Sequence, residues 1–64
     1  MSYSDYVGRI RVDQAKRLFR ETFLGTAAVG QRIGIPDQSN FARLFRKMEG
    51  ISPAAYRKEF GKRS

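Results

Sequence analysis

Between Gln38 and Met48 the chain places three cations, two amides and a serine, and no acidic residue: Gln38, Ser39, Asn40, Arg43, Arg46 and Lys47. These side chains share a chemistry. An arginine fork pairs with O6 and N7 of guanine, and a glutamine or asparagine pairs with N6 and N7 of adenine; serine bonds a phosphate or either base edge. At about 100° per residue, Ser39, Arg43 and Arg46 lie nearly opposite Phe41, Leu44, Phe45 and Met48. Asn40 and Lys47 flank that polar stripe, and Gln38 lies in the first turn. Such a stripe suits the reading of a nucleic-acid groove; a merely solvated helix face is the competing interpretation. The absence of acidic residues favours the groove.

Other chemistries lack their parts. The chain contains no cysteine and no histidine, so the commonest nucleophile-and-base pairs and metal ligands are missing. Asp5, Asp13, Glu21, Asp37, Glu49 and Glu59 are scattered, and no phosphate-cradling glycine loop is present. No enzyme, cofactor or metal is expected. Thirteen Lys and Arg against six Asp and Glu give a formal charge of +7. That favours a polyanionic partner, nucleic acid first and an anionic membrane surface second. No apolar run approaches the ~20 residues of a membrane span, and Met1-Ser2-Tyr3-Ser4 lacks a secretory pattern. The expectation is a cytoplasmic, nucleoid-associated protein with no membrane partner.

The elements that must position the stripe follow from breakers and periodicity. The 64 residues make one domain at most. A first helix is expected over about 4–23, capped by Ser4 or Asp5, with Val7, Ile10, Ala15, Leu18, Phe19 and Phe23 as its apolar face. Val12 falls off that stripe, as an exposed residue or an interface residue. A short helix, Thr26 or Ala27 to Ile33, stops at Gly34. A third spans 37–48, with Asp37 as N-cap and Gly50 as terminator. Ser52-Pro53 opens a fourth over about 53–60, and Gly61-Lys62-Arg63-Ser64 reads as a basic tail. No segment alternates like a strand. The class is all-α, four helices with short connections. The pair over 26–48, joined through Gly34-Ile35-Pro36, has the form of a helix-turn-helix. In that motif the first turns of the second helix face the bases. Gln38, Ser39, Asn40 and Arg43 occupy those turns; Arg46 and Lys47 lie further along, where phosphates run.

From Tyr6 to Phe60 the sequence resembles the second half of the AraC/XylS-type transcription regulator DNA-binding domain. Tyr6-Val7-Gly8-Arg9-Ile10-Arg11 and Ala15-Lys16-Arg17-Leu18-Phe19 resemble that family's linker helix. Gly34-Ile35-Pro36-Asp37-Gln38-Ser39-Asn40-Phe41 resembles its turn and second recognition helix, continued by Arg43-Leu44-Phe45-Arg46-Lys47. Gly50-Ile51-Ser52-Pro53 with Tyr56-Arg57 resembles its closing signature. The resemblance implies a homeodomain-like, AraC-type half-domain that enters one major groove of double-stranded DNA. It also implies a first helix-turn-helix unit and a separate effector domain outside this chain. Carried over by position, the base readers are again Gln38, Ser39, Asn40 and Arg43. Three positions depart from the family: Gly30 for alanine, Ile35 for phenylalanine, and Thr26 for a larger aliphatic residue unless it caps its helix. Together they suggest a loose second helix.

The remaining side chains divide between packing and contact. Phe19, Phe23, Phe41, Phe45, Tyr56 and Phe60 could stack single-stranded bases, but their helical spacing assigns them to a core. Arg9, Arg11, Lys16, Arg17 and Arg20 form either a phosphate-contacting edge or, preferably, a solvated one. Arg57 lies near the start of the last helix, whose backbone amides could hold a phosphate, and is assigned a phosphate contact. The alternative function is a protein-interaction module contacting RNA polymerase or a partner regulator, with Val12 and Tyr6 at the interface. A basic amphipathic helix on membranes is disfavoured by the turn and cap signals.

Overall fold

Helix α1 (Tyr3–Glu21) starts two residues before Asp5, because Ser2 is its N-cap and accepts from the Asp5 amide at 3.2 Å. The expected caps, Ser4 and Asp5, are already inside the helix. The helix stops at Thr22, whose hydroxyl donates to the Leu18 carbonyl at 2.6 Å and accepts from the Leu24 amide at 3.2 Å. Phe23 therefore lies beyond the helix rather than on its apolar face, and is 55% exposed. The computed structural model describes residues 2–62, and the tail residues Arg63 and Ser64 lie outside them.

The buried side of α1 is Gly8, Val12, Ala15 and Phe19. Their spacing keeps them within about 60° of one another at 100° per residue. Val12 is thus a core residue, fully buried, and neither an exposed nor an interface position. Ile10 lies about 160° away from Gly8 and is exposed, so the expected stripe mixed two sides of the helix. Gly8 carried no apolar signal, yet it marks where α1 meets the third helix. A Cβ there would come within 3.0 Å of Leu44 Cδ1 and 3.1 Å of Met48 Cε.

Helix α2 (Thr26–Arg32) has Gly25 as N-cap, so Thr26 is its first helical residue and not its cap. Its C-terminus is closed by two backbone bonds, Gly34 N–H to Gln31 O at 3.2 Å and Ile35 N–H to Gly30 O at 2.7 Å. This is the Schellman arrangement, and Gly34, at φ +87°, supplies the left-handed residue it needs. Gly30 is buried in the same turn. A Cβ there would sit 2.7 Å from the Ile35 carbonyl oxygen and 3.2 Å from Phe41 Cδ2. The glycine that lowers helix propensity therefore permits a close fold-back of the turn, and the expectation of a loose helix is not supported.

Helix α3 (Gln38–Glu49) is capped by Asp37, which accepts from the Asn40 amide at 3.1 Å, and ends at Gly50 in the left-handed region. Helix α4 (Pro53–Phe60) is capped by Ser52, which accepts from the Ala55 amide at 3.1 Å. Every helix touches the other three. Their shared core is aromatic: Phe19 packs edge-on to Phe45 at 6.1 Å and stacks on Phe41 at 6.4 Å, and Phe45 meets Tyr56 at 5.4 Å. Phe60 meets Tyr56 at a tilt, 4.9 Å between ring centroids, but is 58% exposed, at the margin of the core. Val29 of α2 and its C-cap Ile33 complete it. The described residues are all-α, in four helices.

Candidate nucleic-acid interface

The core-facing seam of α3, Phe41 and Phe45 with Leu44 and Met48 beside them, fixes what the helix shows outward. Gln38, Ser39, Asn40, Arg43, Arg46 and Lys47 are all exposed. At 100° per residue, Ser39, Arg43 and Arg46 lie within about 60° of one another, opposite the seam. Asn40 and Lys47 sit on the flank towards the start of α1, where Lys47 borders a groove with Asp5 and Arg9.

Gln38 sits on the other flank. Its Nε2 would lie 3.0 Å from a Cβ at Gly30. It also lines a cleft of about 190 Å³ with Thr26, Ala42, Ser52, Pro53 and Ala54, at the N-terminal ends of α2, α3 and α4. The six residues thus form a continuous surface, with Gln38 at its edge. Ala42, one turn after Gln38, was missed from the sequence. Its helical angle, between Gln38 and Arg46, was the available signal. A methyl group at that point offers an apolar contact of the kind that thymine methyls accept.

Arg20 and Arg32 make no ion pair or hydrogen bond among the described residues but stand singly on α1 and α2, and the remaining cations form two groups. Arg43, Arg46 and Lys47 make no ion pair or hydrogen bond among the described residues. Those on α1 are mostly engaged: Arg9 and Lys16 with Glu49, Arg17 with Glu21 at 2.7 Å, and Arg11 with the Ile33 carbonyl at 2.8 Å. Arg57 belongs with the engaged group. It lies in the last turn of α4, where its Nε donates to Leu24 O at 3.1 Å and its Nη2 to Phe23 O at 3.5 Å. Its guanidinium ties α4 to the loop before α2, and the structure does not bring it to the α3 surface. Lys62 is likewise anchored: its amide donates to Phe19 O at 2.8 Å and its ammonium lies 4.9 Å from the Phe23 ring centroid.

A short helix, a tight glycine turn and a second helix with an exposed polar and cationic face are the parts of a helix-turn-helix. A family model described as a helix-turn-helix domain matches residues 1–59. The chain belongs to the AraC/XylS-type helix-turn-helix family. It is 43% identical over 47 residues to the arabinose operon regulatory protein of Escherichia coli, covering 73% of this chain and 16% of that protein. It is 38% identical over 55 residues to the uncharacterized HTH-type transcriptional regulator YisR of Bacillus subtilis, covering 86% of this chain and 19% of that protein. Among solved structures it is similar to the C-terminal domain of the two-component response regulator yesN from Fusobacterium nucleatum, with a TM-score of 0.83 and 30% identity, covering 89% of this chain and 55% of that one. The AraC/XylS-type relatives are transcription regulators, not enzymes. The chain spans about a fifth or less of the curated relatives named here. Among the described residues, no helix is long and apolar enough to cross a membrane, and no cluster of acidic residues could hold a metal.

Proposed function

We propose that α3 enters the major groove of double-stranded DNA and reads sequence there. The observation that carries this reading is the set of unpartnered cations, Arg43, Arg46 and Lys47, on the exposed side of a helix whose other side is locked into the core. Arg43, Ser39 and Asn40 address base edges, with Gln38 and Ala42 at the edge of the same surface. Arg46 and Lys47 meet phosphates. Arg57 joins them only through the N–H groups that Leu24 and Phe23 leave over.

One groove is the share of this half-domain. A first helix-turn-helix unit and an effector domain belong, on this reading, to a longer regulator that works in the nucleoid. The 55% coverage of the solved C-terminal domain supports the division into halves. Contact with RNA polymerase or a partner regulator is a second reading, favoured by the exposed rings of Tyr3 and Tyr6.

A salt titration against random-sequence duplex tests the DNA reading. Affinity should fall steeply with salt, because each neutralised phosphate releases counterions. Lys47→Ala should lower the slope of log K against log salt by about one. Absence of binding even at low salt contradicts the proposal, and an unchanged slope removes Lys47 from the phosphate contacts.

A further inference from the structure

Glu49 is the last residue of α3, in the turn where the helix dipole disfavours a carboxylate. Its position between two cations of another helix offsets that dipole. Its Oε2 lies 3.3 Å from Arg9 Nη1 and its Oε1 lies 3.2 Å from Lys16 Nζ. Only 16% of its side chain is exposed.

Arg9 and Lys16 are seven residues apart on α1, two turns along one face, or roughly 10 Å. The carboxylate is therefore held from both directions along the α1 axis. Just before that span of α1, Gly8 receives Leu44 and Met48, and within it Arg11 donates to the carbonyl of Ile33 at the turn leading into α3. Helix α1 thus grips the helix-turn-helix at the turn before α3 and at the end of α3.

We infer that Glu49 is a positioning residue: with Arg9 and Lys16 it sets the register of α3 along α1, and so the angle at which the α3 surface meets DNA. This rests on the proposed reading of DNA by α3. It assigns a specificity role to an acidic residue that touches no nucleic acid.

Glu49→Gln removes a negative charge, releases Arg9 and leaves Lys16 only its longer 4.0 Å contact with Asp13. Simple electrostatics then strengthens binding to every duplex alike. A positioning role predicts a different pattern. Binding to a duplex that the parent chain selects from a random-sequence pool should weaken relative to random duplex. The ratio of the two affinities should fall about fivefold or more, the low end of what one mismatched base pair costs. An unchanged ratio, with both affinities raised together, overturns the inference.

Arg9→Gln, at a half-exposed side chain that leaves the Lys16–Glu49 pair in place, should lower the same ratio less. It serves as the readout if Glu49→Gln fails to fold; an unchanged ratio there likewise counts against the inference. A measurement without DNA separates this inference from the reading beneath it. The chain has no cysteine, so spin labels at Gln14→Cys and Asn40→Cys report the α1–α3 distance directly. Glu49→Gln should broaden that distance distribution. An unchanged distribution rejects the positioning role, whereas failure of the parent chain to select any duplex rejects the DNA reading alone.

Discussion

Phe19→Ala should lower the melting temperature of the chain by roughly 12 °C or more. The ring is buried and meets Phe41, Phe45 and Tyr56, so it joins α1 to both α3 and α4. Truncating such a ring costs about 3–5 kcal/mol in lost burial and residual cavity. A domain of this size has only about 3–10 kcal/mol in total. Thermal melts followed by circular dichroism check it, with Ile10→Ala as the internal comparison. Ile10 is just as apolar but points away from the core, and its truncation should cost less than about 1 kcal/mol. Equal losses at the two positions would contradict the packing of α1 described here.

Arg43→Ala should weaken binding to a preferred duplex by about 1–3 kcal/mol and relax discrimination at one base pair. Arg43 lies opposite the Phe41–Phe45 seam with its guanidinium unengaged, and in the first half of α3, where this motif faces the bases. Competition binding against a panel of single-base variants reads both effects. A loss of equal size on every sequence would make Arg43 a phosphate contact. No loss at all would remove it from the surface that matters.

The local signals of the chain were largely legible. Asp37, Ser52-Pro53, Gly34 and Gly50 each carry capping chemistry that needs no tertiary context. Phe41, Leu44, Phe45 and Met48 define one helical face by spacing alone. What depended on neighbours was not legible. Three helices pack around α1, so its buried arc follows Gly8, Val12, Ala15 and Phe19, and a glycine counts there as much as an apolar side chain. Gly30 reads as a weak helix residue until the Ile35 carbonyl is seen folded over it.

The same limit applies to the charges. Arg57 and Arg43 are equally basic in the sequence, yet one holds the Leu24 carbonyl and the other is unengaged. The partners of Glu49, Arg9 and Lys16, lie on another helix, Arg9 40 residues away, a separation that no periodicity reports.

The most direct measurement of the central claim is a titration of the isotopically labelled chain with a duplex, followed through backbone and arginine side-chain resonances. Binding of DNA by α3 predicts the largest shifts at Ser39, Asn40, Arg43, Arg46 and Lys47, smaller ones at Gln38 and Ala42, and little change at Phe23, Ile10 and Phe60. Shifts concentrated around Tyr3, Tyr6, Phe23 or Phe60, with α3 undisturbed, would contradict it.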